Sequence, residues 1–600
     1  MGKILNVDLT TGQLRDEPLD EALCRDFLGG YGIGAKLLYD RMKPGVDALG
    51  PDNLMGFLTG PLTGSPSIEG NRFVVVCKSP LTDTWGDANC GGTFGPQLKF
   101  AGYDGVLFSG AAETPVYLSI ENGQAELRDA KHLWGKDSNE TEDILKEAHG
   151  EAKGRNAKKV EVACIGVAGE NLSLLSAVMN DKGRAAGRSG VGAVMGSKKL
   201  KAIAVSGSAD IPLYDPEKAK AVRKEYMKKT GGAYSLFRDY GTIGITGESV
   251  MTGDAPIKNW GGVGMVDFPS GKKKFHKDTV IAYQEKKYGC WKCTMSCGGE
   301  MSVKEPGPYQ GTKHHKVEYE TAGAWGTMTL TDNFPMLIKI TELCNKYGFD
   351  TIGTGCTAAF AVECYENGIL TKEDTGGLEL NWGNDEALVA LLTKMAMREG
   401  IGDVLADGVR KAAEKIGKGS EQYAIHVQGS EVPMHDPKFQ PGLATSYKMD
   451  ATPARHTQGH EDMPPVLEGW PEHDKYVYTG KGDLHKKCSE MTHVINSAGV
   501  CLFAFLSYDW NFMPAFLSAV TGWDIDTEES LKIGERIANI RHAFNLREGL
   551  NPIEFKVPDR LIGNPPQTEG NVRHVTVDID AQVRDYCEVM DWDPVTGLPS

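Results

Sequence analysis

Short apolar runs set between glycine-rich turns dominate the first third of the chain. Phe73-Val-Val-Val-Cys77 and Gly105-Val-Leu-Phe-Ser109 have the length and β-branched or aromatic content of buried strands. The opening stretch Met1–Asp8 reads as a strand as well. A faint repeat runs through this region. Asn89-Cys-Gly-Gly-Thr-Phe-Gly95 leads into Leu98-Lys99 and a strand ending Ser109-Gly110, and Arg184-Ala-Ala-Gly-Arg-Ser-Gly190 leads into Leu200-Lys201 and a strand ending Ser206-Gly207. This predicts two related β-units facing one another, able to cradle two halves of one ligand. Near Ala209–Pro216 the pattern changes. Asp215-Pro-Glu-Lys-Ala-Lys-Ala-Val and Asn384-Asp-Glu-Ala-Leu-Val-Ala-Leu-Leu begin with capping residues and continue at helical spacing. Glu528–Ile540 does the same among Gly/Pro-rich loops. The expected organisation is α+β. It comprises a β-rich domain over 1–208, a mainly helical domain over 209–425, and a second mainly helical domain over 426–600.

At 600 residues the chain exceeds one hydrophobic core, in keeping with several domains. No apolar run reaches the roughly 18 residues of a membrane span, and the N-terminus lacks a signal-peptide core. Thirteen irregularly spaced cysteines suit reduced thiols, so a cytoplasmic location is expected. A net charge of −16 argues against nucleic-acid binding. One basic exception, Lys272, Lys273, Lys274, Lys277, Lys286, Lys287 and Lys292, surrounds a cysteine loop. It reads either as a solvated surface or as a docking patch for an acidic electron carrier.

That loop is Tyr288-Gly-Cys290-Trp-Lys-Cys293-Thr-Met-Ser-Cys297. Three thiolates from one short segment can wrap one face of an iron–sulfur cube, and the isolated Cys501 is the candidate fourth ligand. Structural zinc more often takes two C-x2-C pairs, and a second pair is absent here. The glycine loops match neither a Walker motif nor a clean G-x-G-x-x-G. Their backbone N–H groups, near Arg72, Arg184 and Arg188, suit a phosphate-bearing ligand.

Longer stretches carry a resemblance. Gly60-Pro-Leu-Thr-Gly64, Lys78-Ser-Pro-Leu-Thr82, Leu98–Asp104, Val167–Leu172, Met179–Arg188, Gly190–Lys198, the cysteine loop, Glu318-Tyr-Glu-Thr321 and Ser497–Phe503 resemble the tungsten-containing aldehyde:ferredoxin oxidoreductases, over essentially the full length. The resemblance implies tungsten held by the dithiolenes of two pterins, one [4Fe–4S] cluster, and magnesium bridging the pterin phosphates. It implies a base of two facing β-sheets capped by helical domains. Arg72, Asn89, Gly91, Arg184, Ala185 and Arg188 would line the phosphates and magnesium, and Cys290, Cys293, Cys297 and Cys501 would hold the cluster. Glu320 takes the place of a glutamate near the metal. His456 is the preferred histidine, with His460 and His435 as alternatives.

The chain departs from the family pattern at Asn345-Lys-Tyr-Gly-Phe-Asp350 and at Asn496, where aspartates are usual. Pterin binding is expected through Asn345, Asp350, Asn496 and Val500. An intersubunit metal motif is replaced by Lys339 and Glu342, so an oligomer bridged in that way is not expected. The implied activity is oxidation of aldehydes to carboxylic acids, or the reverse, with electrons leaving to a ferredoxin-like carrier or a dedicated iron–sulfur partner subunit. The alternatives are a low-potential reductase of aromatic thioesters, which a cysteine at the metal (Cys344 or Cys356) would favour, and a non-catalytic electron-transfer subunit.

Overall fold

The computed structural model describes residues 2–152 and 158–600. The expected N-terminal strand runs Lys3–Asp8 (β1), Met1 lying outside the described residues. It is followed by β2 (Gln13–Pro18), β3 (Met55–Thr59), β4 (Phe73–Lys78), β5 (Trp85–Cys90) and β6 (Gly105–Ser109). Six more strands follow: β7 (Val116–Glu121), β8 (Gln124–Asp129), β9 (Glu161–Cys164), β10 (Val178–Asn180), β11 (Arg184–Ala186) and β12 (Leu200–Ser206). The first six form one sheet in the order β2-β1-β6-β3-β4-β5, and the next six form another in the order β8-β7-β12-β9-β10-β11. Adding six to each number converts one order into the other. The directions agree too: β1 with β6 and β7 with β12 are the parallel pairs, and the remaining neighbours are antiparallel. The faint repeat in the sequence is therefore a duplication of a whole six-strand unit.

The central strands β3, β4 and β12 are buried on both faces, which explains their continuous rather than alternating apolar runs, whereas the edge strands β2 and β8 are largely exposed. Along β4, Phe73, Val75 and Cys77 point into the core between the sheets, while Val74 and Val76 face helices. That inner core takes Phe57 and Phe108 from one sheet and Leu118, Ile120, Ile203 and Val205 from the other. Phe57 lies 5.9 Å from Phe108 and 6.4 Å from Phe73, and Phe73 lies 4.8 Å from Phe94. Such ring pairs contribute about 0.5–1.5 kcal/mol each beyond their buried area.

Two helical bodies cover the sheets. Helices Gly30–Arg41, Gly482–Ala498, Phe512–Thr521 and Thr527–Arg547 pack on the outer face of β4 through Leu37, Ile495, Phe516 and Ile537. A second core gathers helices Phe334–Tyr347, Thr351–Glu366 and Asp385–Met397. Thr351–Glu366 is apolar or small on nearly every side and buried along most of its length. The predicted helices appear at Pro216–Tyr226, Asp385–Met397 and Thr527–Arg547, capped by Asp215, Asn384 and Asp526. Pro216–Tyr226 packs against Phe512–Thr521 in the later part of the chain. The mainly helical stretch over 209–425 also carries, around the cysteine loop, a three-stranded antiparallel sheet of β13 (Gln284–Tyr288), β14 (Gly298–Ser302) and β15 (Lys313–His315). Its lysine-rich first strand hides the period-2 signal, because an exposed edge strand has no apolar face to reveal it.

Candidate functional site

The β13–β14 hairpin holds Cys290, Cys293 and Cys297 in its connection. The loop is fastened to the first sheet: Trp291 N–H donates to Gly92 O (3.1 Å), and Thr294 donates through N and Oγ1 to Glu69 Oε1 (3.3 and 2.7 Å). Cys501 arrives from another direction, just beyond the helix Gly482–Ala498, with its N–H on Glu69 O at 3.1 Å. Glu69 thus ties the triad and the distant fourth cysteine together. Burial pushes the thiols of Cys293 and Cys501 up, and that of Cys297 to about 12. They need a bound cation to become thiolates. Among the described residues, no three cysteine thiols close to within 4.8 Å of one another. Zinc at about 2.3 Å from each thiolate would demand sulfur separations of about 3.8 Å.

Arg72 lies beneath this group. Its Nη2 donates to Cys501 Sγ at 2.8 Å and its Nη1 to Asn89 Oδ1 at 3.3 Å. Burial opposes its charge, but the Cys501, Cys290 and Cys90 sulfurs outweigh burial and raise its pKa. Asn89 passes the contact on, donating to Asn496 Oδ1 at 2.8 Å. Gly91 leaves space here, since a Cβ would stand 2.9 Å from Cys290 Sγ and 3.2 Å from Arg72 Cζ. Asn89 closes β5 and Arg184 and Ala185 lie in β11, the edge strands of the two sheets. Asn180 Nδ2 bonds Cys90 Sγ (3.0 Å) and Gly91 O (3.3 Å), stapling these edges side by side. Arg184 lies over the Tyr288 ring at 5.4 Å. Arg188 donates to Ser430 Oγ and Glu431 O, both at 2.6 Å, and lies 3.6 Å from Asp350 Oδ2. Arg72 Nε, Arg184 Nε and Nη2, and Arg188 Nη1 are buried with no hydrogen-bond partner among the described residues.

A third cluster faces this cradle. Glu320 stands on the short helix Tyr319–Ala322 and accepts from Met434 N–H through Oε2 at 2.9 Å. Its Oε1 lies 3.5 Å from His456 Nε2 and 3.6 Å from His435 Nε2. The three donor atoms fall within 4.8 Å of one another. His435 Nδ1 contacts Asp254 Oδ2 at 2.9 Å, and Asp254 is held in turn by Ser249 Oγ (3.1 Å) and Gln440 Nε2 (2.9 Å). The two histidines differ electrostatically. Burial opposes the His435 charge, but Asp254 and Glu320 outweigh burial and raise the pKa to about 9. Burial, with His435 and Arg188 adding repulsion, drives His456 well below the ordinary histidine value. Burial raises Glu320.

Glu320, His456 and the alternative His435 are thus brought together, while His460, depressed to about 4 by burial, does not join the set. Asp350 spends both oxygens capping the helix it begins, on Ile352 N–H (3.0 Å) and Gly353 N–H (3.1 Å). Asn345 turns its amide toward His314 at 3.4 Å and its carbonyl accepts from Ser138 Oγ at 2.7 Å. Val500 is fully buried behind Cys501. Asp254, Glu69 and Glu431 were missed from sequence. Only their partners across the fold mark them, as no local motif surrounds them.

Residues 4–207 match the family description "Aldehyde ferredoxin oxidoreductase, N-terminal domain", and residues 217–600 match "Aldehyde ferredoxin oxidoreductase, domains 2 & 3". The chain belongs to the aldehyde ferredoxin oxidoreductase family. It is similar, at 37% identity over 100% of its length and 97% of theirs, to tungsten-containing aldehyde ferredoxin oxidoreductases of Pyrococcus furiosus and Pyrococcus abyssi. It is 34% identical, over 100% of its length and 95% of the relative's, to the WOR-like subunit of an aliphatic sulfonate oxidoreductase of Pyrococcus furiosus. Among solved structures, the active-site complex BamBC of benzoyl coenzyme A reductase, in complex with 1,5-dienoyl-CoA, aligns at a TM-score of 0.83. Identity there is 26%, covering 100% of this chain and 95% of the other.

Membership makes the chain an oxidoreductase and implies a tungsten- or molybdenum-pterin group with an iron–sulfur cluster. The donors present fit such groups. Three buried guanidiniums with unpaired N–H groups match an anionic, phosphate-bearing ligand, and four thiols surrounding Arg72 and Glu69 match a cluster. No helix among the described residues is long and apolar enough to cross a membrane.

Proposed function

We propose that this member of the aldehyde ferredoxin oxidoreductase family oxidises an aldehyde to its carboxylic acid. The observation that carries the reading is that the buried arginines with free N–H groups link the two sets: Arg188 acts on Glu320 and His456, while Arg72 and Arg184 act on the cysteines. The bound metal–pterin group supplies carbonyl activation and accepts two electrons. Arg72, Arg184, Arg188 and Gly91 would hold the phosphates, with magnesium near Asn89 and Ala185. Asn345, Asp350, Asn496 and Val500 would border the pterins, and Cys290, Cys293, Cys297 and Cys501 would bind one [4Fe–4S] cluster.

Aldehyde plus water becomes carboxylic acid, two protons and two electrons. His456 is the proton acceptor at Nε2, which lies 3.5 Å from Glu320 Oε1; its depressed pKa leaves it neutral but a weak base, so the proton passes on to Glu320. Glu320 orients water and takes the proton onward. Electrons leave one at a time toward the cysteine hairpin, to a ferredoxin-like carrier or an iron–sulfur partner subunit in the cytoplasm. The lysines near that hairpin, Lys272–Lys274, Lys286, Lys287 and Lys292, are exposed, which supports docking of an acidic carrier there.

The likeness to benzoyl coenzyme A reductase supports a second reading, a low-potential reductase of aromatic thioesters. Cys356 would be its metal-side cysteine. Its buried thiol donates to Val432 O at 3.6 Å, away from the Glu320, His435 and His456 group.

Anaerobically purified protein should contain four irons, one tungsten or molybdenum and two pterins per chain. It should reduce a viologen or ferredoxin with simple aldehydes and lose that activity in E320Q and H456Q. Turnover of an aromatic acyl-CoA without aldehyde turnover would reverse the choice.

A further inference from the structure

We propose that the Asp254–His435 pair is a charge clamp that keeps Glu320 ionised, making His435 a positioning residue for the reaction. This rests on the reading of Glu320 and His456 as the reacting pair. The geometry is specific. The His435 ring lies between two carboxylates, with Nδ1 2.9 Å from Asp254 Oδ2 and Nε2 3.6 Å from Glu320 Oε1. The ring is fixed against Tyr319, whose centroid is 4.7 Å away, and the His435 carbonyl accepts from Tyr447 Oη at 2.8 Å. Glu320 Oε1 is buried and has no hydrogen-bond partner among the described residues, so beyond the Met434 N–H on Oε2 its charge is compensated by neighbouring cations.

The charged and titratable groups acting on Glu320 come from several elements. His435 and Arg188 favour its ionised form and Asp350 opposes it, with His456 3.5 Å away. Tyr319 and Tyr447 also border the cluster, and both are raised well above the ordinary phenol value by burial, hence neutral. Within this set His435 is the cation aligned on Glu320 by a second carboxylate. A carboxylate–histidine–carboxylate row of this kind locks ring orientation and charge together. His435 at about 9 carries that charge throughout the physiological range. His456 remains neutral beside it and free to accept a proton.

The test compares holoenzyme variants. H435Q should move the acid limb of kcat/KM upward by roughly one to three pH units, the span given by a cation at this distance in a medium of effective dielectric ~20 or higher. D254N should shift it the same way by less, and added imidazole should partly restore the limb in H435A. An infrared pH titration gives a readout independent of turnover. The protonated-carboxyl band that E320Q removes should persist to correspondingly higher pH in H435Q. An unmoved limb and band in both H435Q and D254N, with E320Q inactive, would overturn the clamp alone. Wild-type turnover in E320Q would overturn the site reading and the clamp with it.

Discussion

Replacing Gly499 with alanine would disturb the junction that delivers Cys501 to the cluster. Gly499 ends the helix Gly482–Ala498 in the left-handed region at φ +81°, where an alanine costs about 1 kcal/mol. An added methyl would also overlap Thr63 Oγ1. That hydroxyl accepts from Gly60 N–H at 3.0 Å and donates to Arg72 O at 2.8 Å. Clearing the overlap forfeits both bonds, each about 1 kcal/mol net, so G499A should cost about 3 kcal/mol. T63A loses the same two bonds and should cost about 2 kcal/mol. The double variant removes the obstacle, so it should cost about 3 rather than the additive 5 kcal/mol. G549A isolates the backbone cost, since Gly549 has φ +79° with open space around it, and should cost about 1 kcal/mol. The assay is guanidinium denaturation followed at the cluster's visible absorbance, with iron counted per chain before unfolding. Additive costs in the double variant, or equal costs for G499A and G549A, would refute the steric coupling between this turn and the segment just before β4 that carries Arg72.

Three further outcomes follow from the site. E320Q and H456Q should each lower kcat by about 10²–10⁴-fold, as expected for a lost proton-transfer group, while leaving iron and pterin contents at wild-type values. Reversing Lys286, Lys287 and Lys292 to glutamate should raise the KM for an acidic carrier several-fold and flatten its ionic-strength dependence. Unchanged carrier kinetics would remove the docking surface, and a small neutral acceptor serves as the internal control. C356A should keep aldehyde turnover within about threefold, its cost being a small cavity beneath Val432. Complete loss, with tungsten or molybdenum also lost, would place the cysteine at the metal and favour the thioester reading.

Linear spacing was informative wherever one short segment carries the chemistry. The C-x2-C-x3-C loop and the arginine–glycine loops are contiguous, so their residue types alone constrain what they can bind, whereas Glu320 came from the family resemblance. Strand and helix signals were legible where the apolar pattern is strong: Phe73–Cys77 is apolar on both faces and Thr527–Arg547 on one. The hairpin under the cysteines was not legible, because Gln284–Tyr288 is polar and largely exposed on an edge. The repeat was visible only as two similar loops. Its extent emerged from strand order, since packing constrains topology more tightly than it constrains residue identity.

By itself, then, the sequence determined the main strand and helix segments and the family, and it singled out the cysteine loop, Cys501 and the arginine–glycine loops as candidates. The tertiary structure alone decided which distant groups share one electrostatic environment. Glu69 joins the cysteine hairpin to Cys501, and Asn180 staples the two sheet edges. Burial lowers both His435 and His456, but Asp254 and Glu320 overturn it at His435 alone, so two imidazoles with the same ordinary pKa shift in opposite directions. A pKa records the charges and solvent within a few ångströms, and those neighbours come from parts of the chain that only folding brings together.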